Sequence, residues 1–111
     1  MKLIVGFLTA KPGKREAFLA AARHHLEETR KEPDCHYFEM LTSPDDPDRI
    51  VIAEAFASEA AHRAHEDTDH MRALWAVMPD LLQRAAFDSI AADAVRHDEE
   101  VFGGEKLTRY R

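Results

Sequence analysis

A single cysteine, Cys35, is the whole thiol complement of this 111-residue chain, so no intrachain disulfide can form and the signature of an oxidising compartment is missing. A cytoplasmic protein is expected. Positive charge is also scarce: 15 Lys and Arg stand against 21 Asp and Glu, giving a net charge of -6 without a basic cluster anywhere. Phosphate backbones and anionic lipid would be repelled, so neither nucleic acid nor a membrane surface is expected as a partner. No apolar stretch approaches the roughly 18 residues of a spanning helix. The apolar run at the start ends in Thr9 to Gly13 with no small-residue cleavage site, so export is not expected either. The four glycines form no dinucleotide-binding or phosphate-loop pattern, and there is no cysteine pair for haem attachment. Neither a flavin nor a nicotinamide has support in the sequence, and no cofactor is expected.

What is present suffices for one domain. With 45% hydrophobic residues, a chain of this length buries only about two-thirds of its unfolded surface, so an oligomer interface would supplement a modest core. Leu3 to Thr9 is short, apolar and closed by Lys11-Pro12-Gly13, the pattern of a strand and turn. Leu3, Val5 and Phe7 fall on one side of it and Ile4 and Leu8 on the other, which implies a sheet covered on both faces. Lys14 to Lys31 lacks Gly and Pro and carries Phe18, Leu19, Ala22 and Leu26 as an apolar stripe, predicting a helix that ends before Pro33.

Cys35 to Leu41 and Arg49 to Phe56 flank Pro44-Asp45-Asp46-Pro47-Asp48 and read as a hairpin. Ser58 is placed to cap a following helix, and Asp69 a second helical piece bearing Met71, Leu74, Trp75, Met78 and Leu82. Pro79 within that stripe predicts a kink or restart. Ala85 to Ala92 is a weaker strand candidate because of its alanines. The order β-α-β-β-α-β defines an α+β, ferredoxin-like domain over residues 1–95 with an antiparallel sheet and its helices on one face. Residues 96–111 form a polar tail that is ordered only if something holds it. The face left bare would be buried by a second copy, so a homodimer that closes into a dimeric α+β barrel is expected.

Several spaced pieces resemble the antibiotic-biosynthesis-monooxygenase family of dimeric α+β barrel proteins, which includes quinol monooxygenases. They are Lys11-Pro12-Gly13-Lys14, Glu32-Pro33-Asp34-Cys35, Pro44 to Arg49, Glu54-Ala55-Phe56, Ala64-His65 and Thr68-Asp69-His70. The similarity spans residues 1 to 95 and rests on pieces in the correct order. The family usually has Gly at Asp34, Tyr at Phe38 and Trp at Phe56. The haem-degrading branch uses Asn, Trp and His at positions that fall on Gly6, His65 and Trp75, and this chain contains no asparagine at all. The resemblance therefore disfavours haem degradation, while implying that positions 6, 65 and 75 look into a ligand cavity between sheet and helices.

It also implies a reaction: oxygenation of a quinol-like or polycyclic phenolic substrate by molecular oxygen, with His65, and beside it His70, as the catalytic candidates. Imidazole suits the role because it exchanges a proton near neutral pH. The competing role for His65 is a polar tie between helix and sheet, and for His70 a structural contact at the helix break. Gly6, Phe38, Phe56, Met71, Trp75 and Met78 are the substrate-binding candidates, although an apolar helical stripe is core before it is ligand lining. His62, His65 and His70 lie close together with Glu66 nearby, and His62, His65 and Glu66 can share a helix face, but the spacing is looser than known metal signatures and no metal is expected. Glu54, in an otherwise apolar strand, is expected at the sheet end or paired with Arg49 or Arg72. Cys35 and His36 point to opposite faces of a strand and are badly placed to share a proton. Two alternatives remain: a non-catalytic small-ligand-binding or stress-related dimer, and an isomerase of a small hydroxy-ketone, which needs the same base and no oxygen.

Overall fold

A computed structural model describes residues 1–101 and 108–110. Four strands, β1 (Lys2–Ala10), β2 (Cys35–Thr42), β3 (Arg49–Phe56) and β4 (Leu82–Ala91), form one sheet in the order β2-β3-β1-β4 with every neighbour antiparallel. Helices α1 (Arg15–Arg30), α2 (Glu59–Glu66) and α3 (Asp69–Leu81) complete the domain, so the topology is the expected ferredoxin-like α+β arrangement. The turn into α1 is made by Gly13, whose positive φ of 76° is a conformation that side chains disfavour.

The period-two alternation of the strands sorts the residues. Ile4, Leu8, Phe38, Ile50 and Ile52 face the helices and are buried together with Phe18, Ala22, Met71, Leu74 and Met78. Each fully buried Phe or Leu of this layer contributes about 2 kcal/mol from removal of apolar area from water. The buried residues of α1 are Phe18, Ala22, His25 and Thr29, a stripe rotated from the predicted one; Leu19 and Leu26 pack at its margin. The opposite face of the sheet carries Val5, Phe7, Leu41 and Ile90 at 40, 38, 52 and 60% exposure, with no element of this chain over it among the described residues.

Other local expectations are corrected in detail. The cap of α3 is Thr68, whose Oγ1 accepts from Met71 N–H and donates to the His65 carbonyl, while Asp69 is the first helical residue and pairs with Arg72. Ser58 caps α2 as expected, accepting from Ala61 N–H at 3.1 Å. Helix α3 continues through Pro79 and ends at Leu81, because so near the terminus proline removes only one of the last turn's bonds. The alanine-rich segment pairs with β1 along its length, so tertiary pairing outweighs its helix propensity. In the polar tail, β5 (Glu99–Val101) pairs antiparallel with β6 (Thr108–Tyr110). Residues 102–107 and 111 of that predicted tail lie outside the described residues. No helix among the described residues is long and apolar enough to cross a membrane.

Candidate active site

A cavity of about 240 Å³ lies between the sheet and the helices. Its apolar walls come from Ile4, Phe38 and Ile52 of the sheet, Met71, Leu74 and Met78 of α3, and Phe87 of β4, and Trp75, more than half exposed, stands at its rim. Its polar groups are His25, Glu54, His62, His65 and Glu66, with Ser89 on β4. Of the residues proposed from sequence, Phe38, His65, Met71, Trp75 and Met78 line this space, and Gly6, Phe56 and His70 do not.

Gly6 sits on the correct face of β1 but under the Phe87 ring, which approaches so closely that a Cβ at position 6 would lie 2.7 Å from Phe87 Cε1. The glycine makes room for that aromatic wall rather than touching a ligand. Phe56 is fully buried against His62 and His65, with ring centroids 5.3 and 5.0 Å away, and borders a second recess shared with Glu32, Cys35 and Thr68.

His65, at the end of α2, is held from outside the cavity. Its Nδ1 lies 2.8 Å from Glu32 Oε2, in the loop between α1 and β2, and the same oxygen is 2.9 Å from His70 Nε2. A carboxylate oxygen only accepts, so each of these ring nitrogens carries a hydrogen and donates. In a neutral ring the remaining His65 nitrogen, Nε2, is the acceptor, on the side of Glu54, whose Oε1 is 3.9 Å away. Glu54 is buried and does not meet either expected arginine. Arg49 extends over the Phe7 ring on the other face, and Arg72 is engaged by Asp67 and Asp69. Burial, with Glu66 and Glu32 nearby, pushes the Glu54 carboxyl up to about 7.

His25 completes the cluster and was not foreseen. It is buried, its ring edge meets Phe38 at a centroid distance of 5.3 Å, and it lies 5.2 and 5.4 Å from His65 and His70. Burial, then the two neighbouring imidazoles, lower its pKa to about 4, so it is neutral at physiological pH. The signal was its spacing: Phe18, Ala22, His25 and Thr29 recur at four, three and four residues. Glu32 carried no comparable signal, because its partners lie 33 and 38 residues away. His62 is largely covered and pairs with Glu66 at 3.3 Å. Cys35 is a half-buried thiol whose pKa burial raises to about 11, which suits packing rather than nucleophilic attack.

The family model for antibiotic biosynthesis monooxygenase matches residues 1–76, and the chain belongs to that family. Among curated proteins, sll1783 of Synechocystis is 26% identical over 84 residues, covering 76% of this chain, which spans only 57% of that protein's length. The Bacillus subtilis protein named "Putative monooxygenase YcnE" is 27% identical over 82 residues, covering 74% of this chain and 86% of its own. Among solved structures, a Nitrosomonas europaea protein named "Putative antibiotic biosynthesis monooxygenase" superposes with a TM-score of 0.79 at 27% identity, over 85% of this chain and all of that one.

Proposed function

We propose that this protein is a cofactor-independent monooxygenase of a small, flat phenolic substrate of the quinol or polycyclic phenol type. The observation that carries the reading is the His65 imidazole, anchored through Nδ1 by Glu32 at 2.8 Å and presenting Nε2 among the polar groups of a mostly apolar cavity. The anchor selects the tautomer and orientation of a general base, the role a carboxylate plays behind a histidine in other enzymes. Phe38, Met71, Trp75 and Met78 supply a dry wall for an aromatic ring.

Deprotonation by Nε2 leaves an electron-rich phenolate that reacts with molecular oxygen. For a hydroquinone the products are a hydroxyquinone and water: one oxygen atom enters the ring, the other leaves as water, and the substrate supplies all four electrons. Excluding water protects the reactive intermediate. Glu54, able to exchange a proton near neutral pH and 3.9 Å from Nε2, is placed to take the proton onward. His70 acts on the far side of Glu32 as an orienting partner.

The bare sheet face is the second part of the proposal. Val5, Phe7, Tyr37, Leu41 and Ile90 are exposed on one side of a four-stranded sheet, an apolar grouping of the kind that marks an association surface. A symmetric homodimer that packs two such faces together buries them as a barrel core, in the cytoplasm expected from the lone cysteine. The test is oxygen uptake by chelator-treated, cofactor-free protein against a panel of hydroquinones and anthrone-like phenols. Wild type is expected to turn over and His65→Ala to lose about 10²- to 10⁴-fold in rate. Unchanged turnover in the variant removes His65 from the mechanism, turnover without oxygen selects an isomerase, and aromatic binding without product selects a non-catalytic binder.

A further inference from the structure

We propose that Glu32, His65 and His70 form a binding site for one borderline divalent transition-metal cation, of the zinc or nickel type, on the side of His65 turned away from the cavity. The three residues come from the loop after α1, the end of α2 and the start of α3, and one ligand atom from each lies within 4.8 Å of the others. Two imidazole nitrogens and a carboxylate oxygen are a donor set such cations prefer. Donors bound at about 2.1 Å stand roughly 3.0 Å apart on an octahedral edge and about 3.4 Å on a tetrahedral one. Glu32 Oε2 already lies 2.8 Å from His65 Nδ1 and 2.9 Å from His70 Nε2, so these two edges need open by only a few tenths of an ångström, while the third, between the imidazole nitrogens, is within 4.8 Å and is brought to coordination distance by side-chain rotation.

The surroundings favour positive charge. Glu54 and Glu66 lie on the other side of His65, the chain carries a net charge of -6, and among the described residues no Lys or Arg pairs with Glu32. His25, whose Nδ1 has no partner of hydrogen-bonding geometry, packs against both imidazoles. An entry path exists as well. The Glu32 and His70 side chains retain 19 and 14% exposure, and the second recess, lined by Glu32 and Thr68, opens beside them.

A cation at Nδ1 requires the neutral His65 ring to carry its hydrogen on Nε2 instead. The nitrogen facing the cavity then donates and can no longer accept a proton. Metal binding would thus switch off the proposed base; this consequence rests on the proposed function, whereas the site itself does not.

The test titrates chelator-stripped protein with Zn²⁺ by calorimetry and with Co²⁺ by visible absorption, and follows the imidazole nitrogens by NMR. One equivalent per chain is expected, with shifts confined to His65, His70 and neighbouring His25, and with a melting temperature raised by zinc. Glu32→Gln and His70→Ala should each weaken binding by more than about 100-fold, beyond what loss of an outer hydrogen bond costs. His24→Ala, an exposed histidine on α1, should leave it unchanged. His70→Ala, at a partly exposed position, keeps the test decisive should Glu32→Gln fail to fold. No binding up to millimolar cation, or binding retained in both variants, overturns the site and leaves the proposed function untouched. Stoichiometric binding with undiminished oxygen uptake supports the site and counts against His65 as the base.

Discussion

The two faces of one sheet are built from the same strands and differ in almost everything else. On the helix side, Leu8, Phe38 and Ile52 give way at one end to His25, Glu54 and His65, polar groups buried at a cost that hydrogen bonds and shifted protonation offset only in part. On the bare side, Val5, Phe7, Leu41 and Ile90 are exposed apolar side chains, with Asp88 paired beside Val5 and Arg49 and Arg84 flanking Thr9. The contrast teaches a division of labour: strand alternation lets one face hold a buried polar site while the other is left exposed and apolar.

The most disruptive way to break this comparison is to charge the bare face. Val5→Asp should dissociate or unfold the protein at a cost of several kcal/mol, since an unpaired carboxylate would be buried in the proposed interface. Sedimentation of wild type as a dimer at micromolar concentration, and of the variant as a monomer or aggregate, checks it; a well-folded wild-type monomer contradicts the interface. The same substitution at a solvent-facing position would cost less than about 0.5 kcal/mol.

The polar face is sharpened by pH. The Glu54 carboxyl, raised to about 7 in the fold, gives stability that is fully present at acid pH and is lost as pH rises from about 4.5 through 7. His25, lowered to about 4, does the reverse: its contribution is full above about 6.5 and is lost as pH falls towards 4. Between roughly pH 4.5 and 6.5 the two slopes oppose each other. Glu54→Gln should therefore leave a protein that weakens towards acid, and should be more stable than wild type by on the order of 2 kcal/mol above pH 7. His25→Gln should unmask the opposite slope. Denaturant melts at pH 5 and pH 8 read both; parallel profiles for the two variants would refute the assignment.

The smallest expected effect is at the wall. Gly6→Ala should push the Phe87 ring aside, costing about 1 kcal/mol and reshaping the cavity without dissociating the protein. A changed order of substrate preference with an unchanged sedimentation profile is the expected readout.

These residues also show what a sequence can and cannot reveal. Strand and helix positions follow from local periodicity, and β1 announced a two-sided apolar strand directly. The hairpin and the Ser58 cap were equally local. An acidic residue in a strand suggests an arginine partner, whereas the neighbour of Glu54 is an imidazole from α2. Asp69 is a good capping residue by type, yet Thr68 stands one residue earlier with an equally suitable oxygen and takes the position. Phe87 over Gly6 and Glu32 between two histidines depend on side chains converging from distant segments, and no periodicity encodes that.

The polar face is put to the most direct test by incubating metal-stripped protein with a hydroquinone substrate under ¹⁸O₂ and weighing the product. The account predicts one ¹⁸O atom in the hydroxyquinone, the other in water, and loss of this product in His65→Ala. Product formed without oxygen, or with its added oxygen drawn from solvent, would contradict it.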